Sequence, residues 1–341
     1  MPPAAKILIL ILAAIFKFVN SKVRTLTLEN SNFMKSSLPQ ISDVEISQLR
    51  VFKAVVTNGG FSAAQLELGL SRSTISGKMT ELETRLGLSL CRRGRGGFFL
   101  TTDGQRIFEQ TEGLFSALES FRIQASELRG HITGVLRLGV VDQLSGHPNC
   151  HLDSALAAFV RTAPDVHIKL TVIPPNQIVQ ALLSGQIEAA ITITPAAHHQ
   201  AAIKSHMLFR EDIFLYCGDT HPFFDQSDQK ISLNKIADTP YAQRDYDSTM
   251  PYDSVFLRPA SASAGQMEGL LHLILAGCYI GFLPSSLADP WVAKNRMKRI
   301  RADLMSFSAN IHLAYTEQAL SLRMVQLFRK SVVDAHKGTA K

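Results

Sequence analysis

Basic side chains are concentrated in one short stretch of this chain. Between residues 72 and 97, six lysines and arginines stand against two acidic residues, Glu81 and Glu83. Such a cluster can bind phosphates, because cationic groups replace the counterions of a nucleic-acid backbone and donate hydrogen bonds to its oxygens. The basic residues are Arg72, Lys78, Arg85, Arg92, Arg93 and Arg95. Contacts of this kind supply affinity and register but carry little sequence information.

Short polar residues share the same stretch on a predicted helix. An apolar stripe at helical spacing marks its buried side: Ile75, Met79, Leu82 and Leu86. At about 100° per residue, Ser73, Gly77 and Thr80 lie opposite this stripe, and Thr74 and Ser76 lie on its flanks. Small side chains let a helix enter the major groove, where hydroxyl groups can reach base edges or phosphates. The residues predicted to contact DNA from this helix are Arg72, Ser73, Thr74, Ser76, Gly77, Lys78 and Thr80.

Three helices and a hairpin are predicted to position these groups. The first helix begins with a capping box at Ser42 and Glu45 and ends at Gly59-Gly60. A second helix is predicted to open at Ser62, with Phe61 packing against Leu66, and to end near Gly69. The helix with the polar face opens at Ser71. It is followed by a basic, glycine-rich hairpin that carries Arg92, Arg93 and Arg95, whose side chains are predicted to meet phosphates.

Residues 60–104 resemble the LysR-type family of bacterial transcriptional regulators. The resemblance covers the helix from Ser71, the Leu82–Gly87 turn, the arginine-rich wing and the L-T-x-x-G exit at Leu100–Gly104. It implies a sequence-specific DNA-binding regulator. Arg72 stands where the family commonly has glutamine, and Gly77 where it often has arginine or lysine, which puts the DNA sequence that is read in doubt. The alternative is an ordinary helical hairpin whose charges form a solvated face.

A long helix is predicted after the hairpin. Thr102 and Gln105 can cap it, and apolar or small residues then recur at alternating steps of four and three, which is a heptad stripe. A helix of about 26 residues spans roughly 40 Å, more than the small head alone can cover. The family resemblance implies dimerisation through this stripe; the alternative is packing on the chain's own next domain. The predicted dimer contacts are Ile107, Leu114, Leu118, Phe121 and Leu128.

Beyond residue 131, strands alternate with helices. Strands are predicted at residues 135–141, 166–172, 189–194, 213–217, 255–257, 279–284 and 311–315, and helices at residues 152–161, 178–185, 265–277 and 320–334. These are βαβ units. The resemblance implies two α/β lobes of the periplasmic-binding-protein type that enclose a small-molecule effector, with the final segment returning to the first lobe.

Candidate effector residues follow from the rule that ligands bind outside the carboxyl ends of strands in open parallel sheets. The first lobe offers the loop after its first strand and the end of its third strand. The second lobe offers an arginine and a serine-containing segment whose N–H groups, before a helix, could hold a carboxylate. The residues are Asp142, Gln143, Leu144, Thr194, Pro195, Arg244, Ser261 and Ser263.

Composition excludes several classes of protein. The chain has 341 residues, 46% hydrophobic and 19% charged, with net charge +6, so it can form buried cores in two or three domains. Its four cysteines make no C-x-x-C pair, so the sequence indicates neither a zinc site nor a disulfide framework. Reduced cysteines fit a cytoplasmic protein. Redox sensing by one thiol is a less favoured alternative. The pair His198-His199 has no acidic or thiol group at ligand spacing, so no metal and no cofactor are predicted.

The N-terminus is predicted to be an upstream extension. Residues 7–16 are apolar but too few to span a bilayer, and no clear cleavage site follows them. We expect residues 1–33 to result from a misassigned start, with Met34 as the first working residue. A membrane-tethering role for this segment is the alternative.

The chain is thus predicted to be a multidomain α/β protein and not an enzyme. No G-x-S-x-G, H-E-x-x-H or G-x-G-x-x-G motif occurs. Expected partners are double-stranded DNA, a small-molecule effector, further copies of the chain as a homodimer or homotetramer, and RNA polymerase. The competing class is a secreted solute-binding protein, against which residues 42–104 argue.

The predicted parts are an extension (1–40), a winged helix-turn-helix (41–102), a dimerising linker helix (103–130) and an effector-binding domain (131–335), with lobe 1 at 131–210 and 285–335 and lobe 2 at 211–284.

Overall fold

The computed structural model describes residues 41–94, 97–127, 131–193, 202–246 and 252–338. The predictions for residues 1–40 therefore lie outside the described residues. The chain divides into two compact units at Phe108 and Glu109. The first unit is called the head below, and the second is called the C-terminal unit.

The head contains three helices and a two-stranded hairpin. Helix α1 (Asp43–Thr57), α2 (Ala64–Leu68) and α3 (Arg72–Leu86) are followed by strands β1 (Cys91–Gly94) and β2 (Gly97–Leu100). The two strands are antiparallel, with Cys91 opposite Leu100. Helix α4 (Thr102–Glu127) begins in the head and continues into the C-terminal unit.

Local signals set most of the boundaries in the head. The Ser42–Glu45 capping box is confirmed, since the Glu45 carboxylate accepts the Ser42 N–H at 2.7 Å. The predicted start of α2 is wrong: Ser62 makes no cap, and the helix begins at Ala64. The Phe61–Leu66 contact is also wrong, because Leu66 is almost fully exposed while the Phe61 ring packs edge-on against Phe98.

A close backbone approach fixes the start of α4 against the hairpin. The cap is Thr101, one residue before the predicted Thr102: its hydroxyl accepts the Gly104 N–H at 2.8 Å and donates to the Ser89 carbonyl at 2.6 Å. A Cβ on Gly104 would overlap the Leu90 carbonyl oxygen. The L-T-x-x-G exit therefore has a geometric cause, since the helix passes the backbone of Leu90 where only glycine fits.

One face of α4 packs on the C-terminal unit's own first lobe. Ile123 is buried in the core of that lobe, and the Gln124 amide donates to the Ser321 hydroxyl at 3.0 Å. Of the predicted dimer residues, Leu118 and Phe121 are exposed and Ile107 and Leu114 are half-buried. The side chain of the fifth, Leu128, lies outside the described residues. The helix thus contacts its own chain on one side and presents part of the heptad stripe on another.

The C-terminal unit is built on a mixed seven-stranded sheet. Its strands are β3 (Gly134–Val140), β4 (Val166–Val172), β5 (Ala189–Ile193), β6 (Ile203–Gly218), β9 (Ile280–Pro284), β10 (Met297–Arg299) and β11 (Ser306–Thr316). The order is β10-β6-β11-β5-β3-β4, and β9 also pairs with β6. Strand β3 is parallel to β4 and β5, whereas β11 is antiparallel to β5 and β6. A small parallel pair, β7 (Ala242–Arg244) and β8 (Ala262–Ala264), lies apart.

Helices cover the sheet in both lobes. The first lobe carries α5 (Leu152–Thr162), α6 (Pro175–Leu183), α10 (Glu317–Leu320) and α11 (Arg323–Ala335), and the second carries α7 (Leu233–Asp238), α8 (Met267–Leu275) and α9 (Ser285–Ala293). Helices α5 and α11 meet through an edge-to-face contact of Phe159 and Phe328, 5.7 Å between ring centroids. The long strands β6 and β11 join the two lobes.

Two predictions for the C-terminal unit are wrong. The apolar residues 255–257 do not form a strand: Asp253–Val255 is a 3-10 turn, and the Phe256 ring stacks on Tyr241. The chain also does not return to the first lobe at residue 285, because Ala288 of α9 and Met297 of β10 lie in a core of the second lobe. The return occurs along β11, which pairs with β5 of the first lobe.

Candidate functional site

The N-terminus of α3 is held by a group of hydroxyls. The helix was predicted to open at Ser71, and the Ser71 Oγ caps it by accepting the Thr74 N–H at 3.2 Å. The same oxygen lies 2.8 Å from both the Ser73 and Thr74 hydroxyl oxygens. The group positions the first turn of the helix. Hydroxyl oxygens retain acceptor capacity after donating, so this turn can still accept hydrogen bonds from outside the chain.

Helix α3 separates a buried apolar side from an exposed polar side. Ile75, Met79 and Leu82 are fully buried. On the polar side, two of the predicted DNA-contacting residues, Ser76 and Lys78, are half-buried. The others are exposed: Arg72, Ser73, Thr74, Gly77 and Thr80. The Thr80 hydroxyl donates to the Ser76 carbonyl at 3.0 Å, which fixes its direction along the helix. We call Ser73, Gly77 and Thr80 the groove face.

A carboxylate in α3 fixes the hairpin relative to the groove face. The Glu83 Oε1 accepts the N–H groups of Leu90 at 2.7 Å and Cys91 at 3.2 Å, where the hairpin begins. Arg92 is the next residue along the strand and is exposed. The backbone of Arg93 lies in β1, and Arg95 falls outside the described residues. Glu83 thus attaches the start of the hairpin, which carries Arg92, to the helix that carries the groove face.

A second carboxylate joins α1 to α3. Glu45 forms an ion pair with Arg85, and hydrogen bonds from Ser42 lower the pKa of the Glu45 carboxyl. The Gln48 amide donates to Glu81 at 2.9 Å. Arg85 is therefore engaged within the head, unlike Arg92, and is a poor choice for a phosphate contact.

Two of the predicted effector residues meet between the lobes of the C-terminal unit. Asp142 follows β3 of the first lobe, and Arg244 ends β7 of the second. Their charged groups lie 3.7 Å apart, and the side chains are only 16% and 10% exposed. The Asp142 Oδ2 also accepts the N–H of Met267, the first residue of α8, at 2.6 Å. Arg244 is further bonded to the Tyr246 hydroxyl.

Gln143 borders this corner. Its amide donates to the Glu268 carboxylate at 3.2 Å, and its backbone is left-handed with φ 64°. A left-handed residue directly after Asp142 turns the chain sharply at the end of the strand. Sequence reasoning missed Met267, Tyr246 and Glu268. Only the poor capping ability of Gln266, which precedes α8, indicated that a cap must come from elsewhere in the chain.

The other predicted effector residues do not join this corner. Leu144 packs in the core of the first lobe, so its side chain faces away from this corner. The Ser261 N–H donates to the Tyr241 carbonyl at 2.9 Å, and Ser263 lies in β8 opposite Gln243. The N–H that binds a carboxylate at the start of this helix is that of Met267, and the carboxylate is the chain's own Asp142. Thr194 and Pro195 lie outside the described residues.

Comparison with known proteins identifies this architecture. Residues 46–105 match the model of the bacterial regulatory helix-turn-helix proteins of the lysR family, and residues 129–337 match that of the LysR substrate binding domain. The chain is 36% identical over 265 residues to the HTH-type transcriptional activator BauR of Pseudomonas aeruginosa. The alignment covers 77% of this chain and 86% of BauR. The chain belongs to the LysR family. The resemblance inferred from residues 60–104 is thereby confirmed.

Solved structures share the fold. The LysR-family regulator CbnR aligns with a TM-score of 0.57 at 20% identity, over 85% of this chain and 99% of that one. Full-length OxyR from Pseudomonas aeruginosa aligns with a TM-score of 0.56 at 16% identity, over 88% and 97% of the two chains. This LysR-family protein is a DNA-binding transcriptional regulator with an effector-binding domain. The solute-receptor alternative is set aside, because such a receptor has no helix-turn-helix head.

The four cysteines of this LysR-family protein differ in exposure: Cys91 and Cys217 are buried, Cys150 is half-buried and Cys278 is exposed. Burial raises the pKa of Cys217 to about 12 and also raises that of Cys150. A thiol reacts as its thiolate, so burial disfavours redox sensing at these two positions. The described ranges contain no group of three histidine, cysteine or acidic residues placed to hold a metal, and His198-His199 falls outside them. Among the described helices, none has the length and apolar character needed to cross a bilayer.

Proposed function

We propose that this regulator recognises its operator through the groove face of α3 and binds flanking phosphates through the wing. The observation that carries the proposal is the attachment of the hairpin to α3 by Glu83, which presents both surfaces together. Ser73 and Thr80 contact base edges, Gly77 lies between them against the groove, and Thr74 and Ser76 lie at the margins. Phosphates are bound by Arg72, Lys78, Arg92, Arg93 and Arg95.

Two heads act together in this proposal. The exposed part of the α4 stripe pairs two copies of the chain, so that each oligomer binds two DNA half-sites. The protein acts in the cytoplasm and contacts RNA polymerase at the promoter. An effector that binds one spacing of the heads better than another shifts the population toward that spacing. The protein acts by binding and not by catalysis.

The corner at Asp142 and Arg244 is the proposed effector site. It presents a carboxylate, a guanidinium and a helix N-terminus from two lobes at one point, so an effector held there touches both lobes. Charged groups that are almost buried favour a small molecule with ionised groups over an apolar one.

The function is tested by selecting genomic fragments bound by the purified full chain and sequencing them. We expect enrichment of a few fragments with dyad-related halves, and an affinity that falls steeply with salt because counterions are released. Absence of enrichment over random DNA at low salt would contradict the proposal.

Arg92→Ala is expected to weaken binding to specific and random duplexes by the same factor. Arg92 is exposed on the wing, where its charge meets a phosphate in this proposal. The slope of log affinity against log salt should fall in magnitude by about 0.9, the value for one phosphate contact. Arg258→Ala, which removes an exposed charge in the C-terminal unit, is the control. A change of sequence preference in Arg92→Ala would contradict the assignment.

Arg244→Gln is expected to abolish the effector response while leaving DNA affinity unchanged. A panel of organic acids, amino acids and amines is first screened for compounds that raise the thermal midpoint of the parent. Such compounds should bind Arg244→Gln at least about tenfold more weakly, because a charge-assisted hydrogen bond is worth roughly 1.5–3 kcal/mol. Arg210→Gln, in the same unit but 59% exposed, should behave like the parent. Equal binding by both variants would place the effector elsewhere.

A further inference from the structure

Gly77 differs from the other characterised glycines of the head. Five of them have positive φ angles, which glycine tolerates best: Gly59, Gly60, Gly69, Gly87 and Gly97. Gly104 is required by the Leu90 backbone. Gly77 has helical backbone in the middle of α3, and a Cβ built there would meet nothing within 4 Å. The described part of the head therefore gives no reason for a glycine at this position.

Glycine is costly in a helix interior. Only proline is less favourable there, because glycine loses the most backbone freedom when the helix forms. Alanine at position 77 would fit the described structure without a clash and would strengthen the helix. Helix stability and packing within the chain would therefore favour alanine at this position. The reason for a glycine must then be a contact with another molecule.

The position of Gly77 indicates what that cause is. It lies in the groove face with Ser73 and Thr80, opposite the buried stripe. A helix with its side chains is about 10–12 Å across, and the major groove is about 12 Å wide. The fit is tight. A long arginine or lysine at this position, as the family often has, can itself reach the bases, whereas a short side chain such as alanine would only occupy the space between the backbone and the bases. Ser73 and Thr80 have short side chains that reach base edges only when the backbone comes close.

We propose that Gly77 is a specificity-determining residue of this regulator. Its bare backbone lets α3 seat deeply in the major groove, so that the hydroxyls of Ser73 and Thr80 hydrogen-bond base edges. The inference rests on the proposed recognition role of α3. Gly77, which weakens the helix, thus serves recognition of the DNA sequence and not folding.

Gly77→Ala tests this inference by moving stability and specificity in opposite directions. The variant is expected to unfold at a higher temperature than the parent. It should bind the selected operator roughly tenfold more weakly, equivalent to the loss of one base contact, and bind random duplex within about twofold of the parent. Thr84→Ala is the control, because Thr84 is exposed in the last turn of the same helix and alanine there also raises helix propensity. It should not change specificity.

Each outcome separates this inference from the proposed function. If Gly77→Ala binds the operator as tightly as the parent while Ser73→Ala loses discrimination, the recognition role of α3 stands and the role of Gly77 is refuted. If neither variant changes the ratio of operator to random affinity, α3 is not the recognition helix. If Gly77→Ala is less stable than the parent, the glycine serves folding and the inference also fails.

Discussion

Phe121→Asp is expected to separate the oligomer into single chains and to weaken binding to a two-half-site duplex by about a hundredfold or more. Phe121 lies on the heptad stripe of α4 and is 72% exposed, although the opposite side of this helix is covered by the chain's own first lobe. A carboxylate cannot enter an apolar helix seam without losing its hydration. Two linked heads gain roughly 10²–10⁴ in avidity, which a single chain loses.

Sedimentation velocity and duplex titration measure the two effects. The matched control is Leu257→Asp, because Leu257 is 75% exposed on the second lobe and the substitution has the same chemistry. It should leave both mass and affinity unchanged. Binding of Phe121→Asp to a single half-site should match that of the parent. A variant that sediments like the parent would show that the stripe is not the pairing surface.

Gly104→Ala is expected to disrupt the head. The added Cβ would lie 2.8 Å from the Leu90 carbonyl carbon and 3.1 Å from its Cα, in addition to overlapping the oxygen. Backbone atoms cannot rotate away, so either α4 or the hairpin must move. We expect a loss of about 3 kcal/mol, the upper end of typical overpacking penalties. Moving the hairpin also breaks its attachment to Glu83, so DNA affinity should fall for all sequences.

Hydrogen exchange of the head amides and duplex titration measure this loss. Gly113→Ala is the control in the same helix, since its Cβ would meet only the Ser184 carbonyl oxygen at 3.9 Å. It should be neutral or slightly stabilising, because alanine is the better helix former. If Gly104→Ala retains the exchange protection and affinity of the parent, the close approach of α4 to Leu90 is not required.

The sequence predicted the head well because its signals are local. The stripe of Ile75, Met79 and Leu82 and the cap at Ser71 depend on residues within a few positions of one another. Failures occurred where tertiary contacts decided between local alternatives. Ser62 satisfied the capping pattern, but Phe61 packs on Phe98 of the hairpin and the helix begins two residues later.

The effector corner could be predicted only in part. Asp142 and Arg244 were selected separately, as loop residues at the ends of strands. Their approach to 3.7 Å, and the bond from the Met267 N–H to Asp142, join positions more than 100 residues apart. Hydrophobic periodicity along the sequence does not predict contacts between residues that are so far apart in the chain. It also could not tell that Leu144, in the same loop, turns into the core.

Strands β6 and β11 have a mechanical consequence. Their ladder runs from Ile203 opposite Thr316 to Phe214 opposite Ser306, and its register shifts once, between Ile311 and His312. Leu208, where the register shifts, is buried in the core of the first lobe, and Ile213 is buried in a core of the second. Residues 210–212 lie between the two cores, so relative motion of the lobes has to bend the ladder there. Two hydrogen-bonded strands resist twisting more than two separate chain segments would, so this paired connection restricts how far the lobes can rotate against each other.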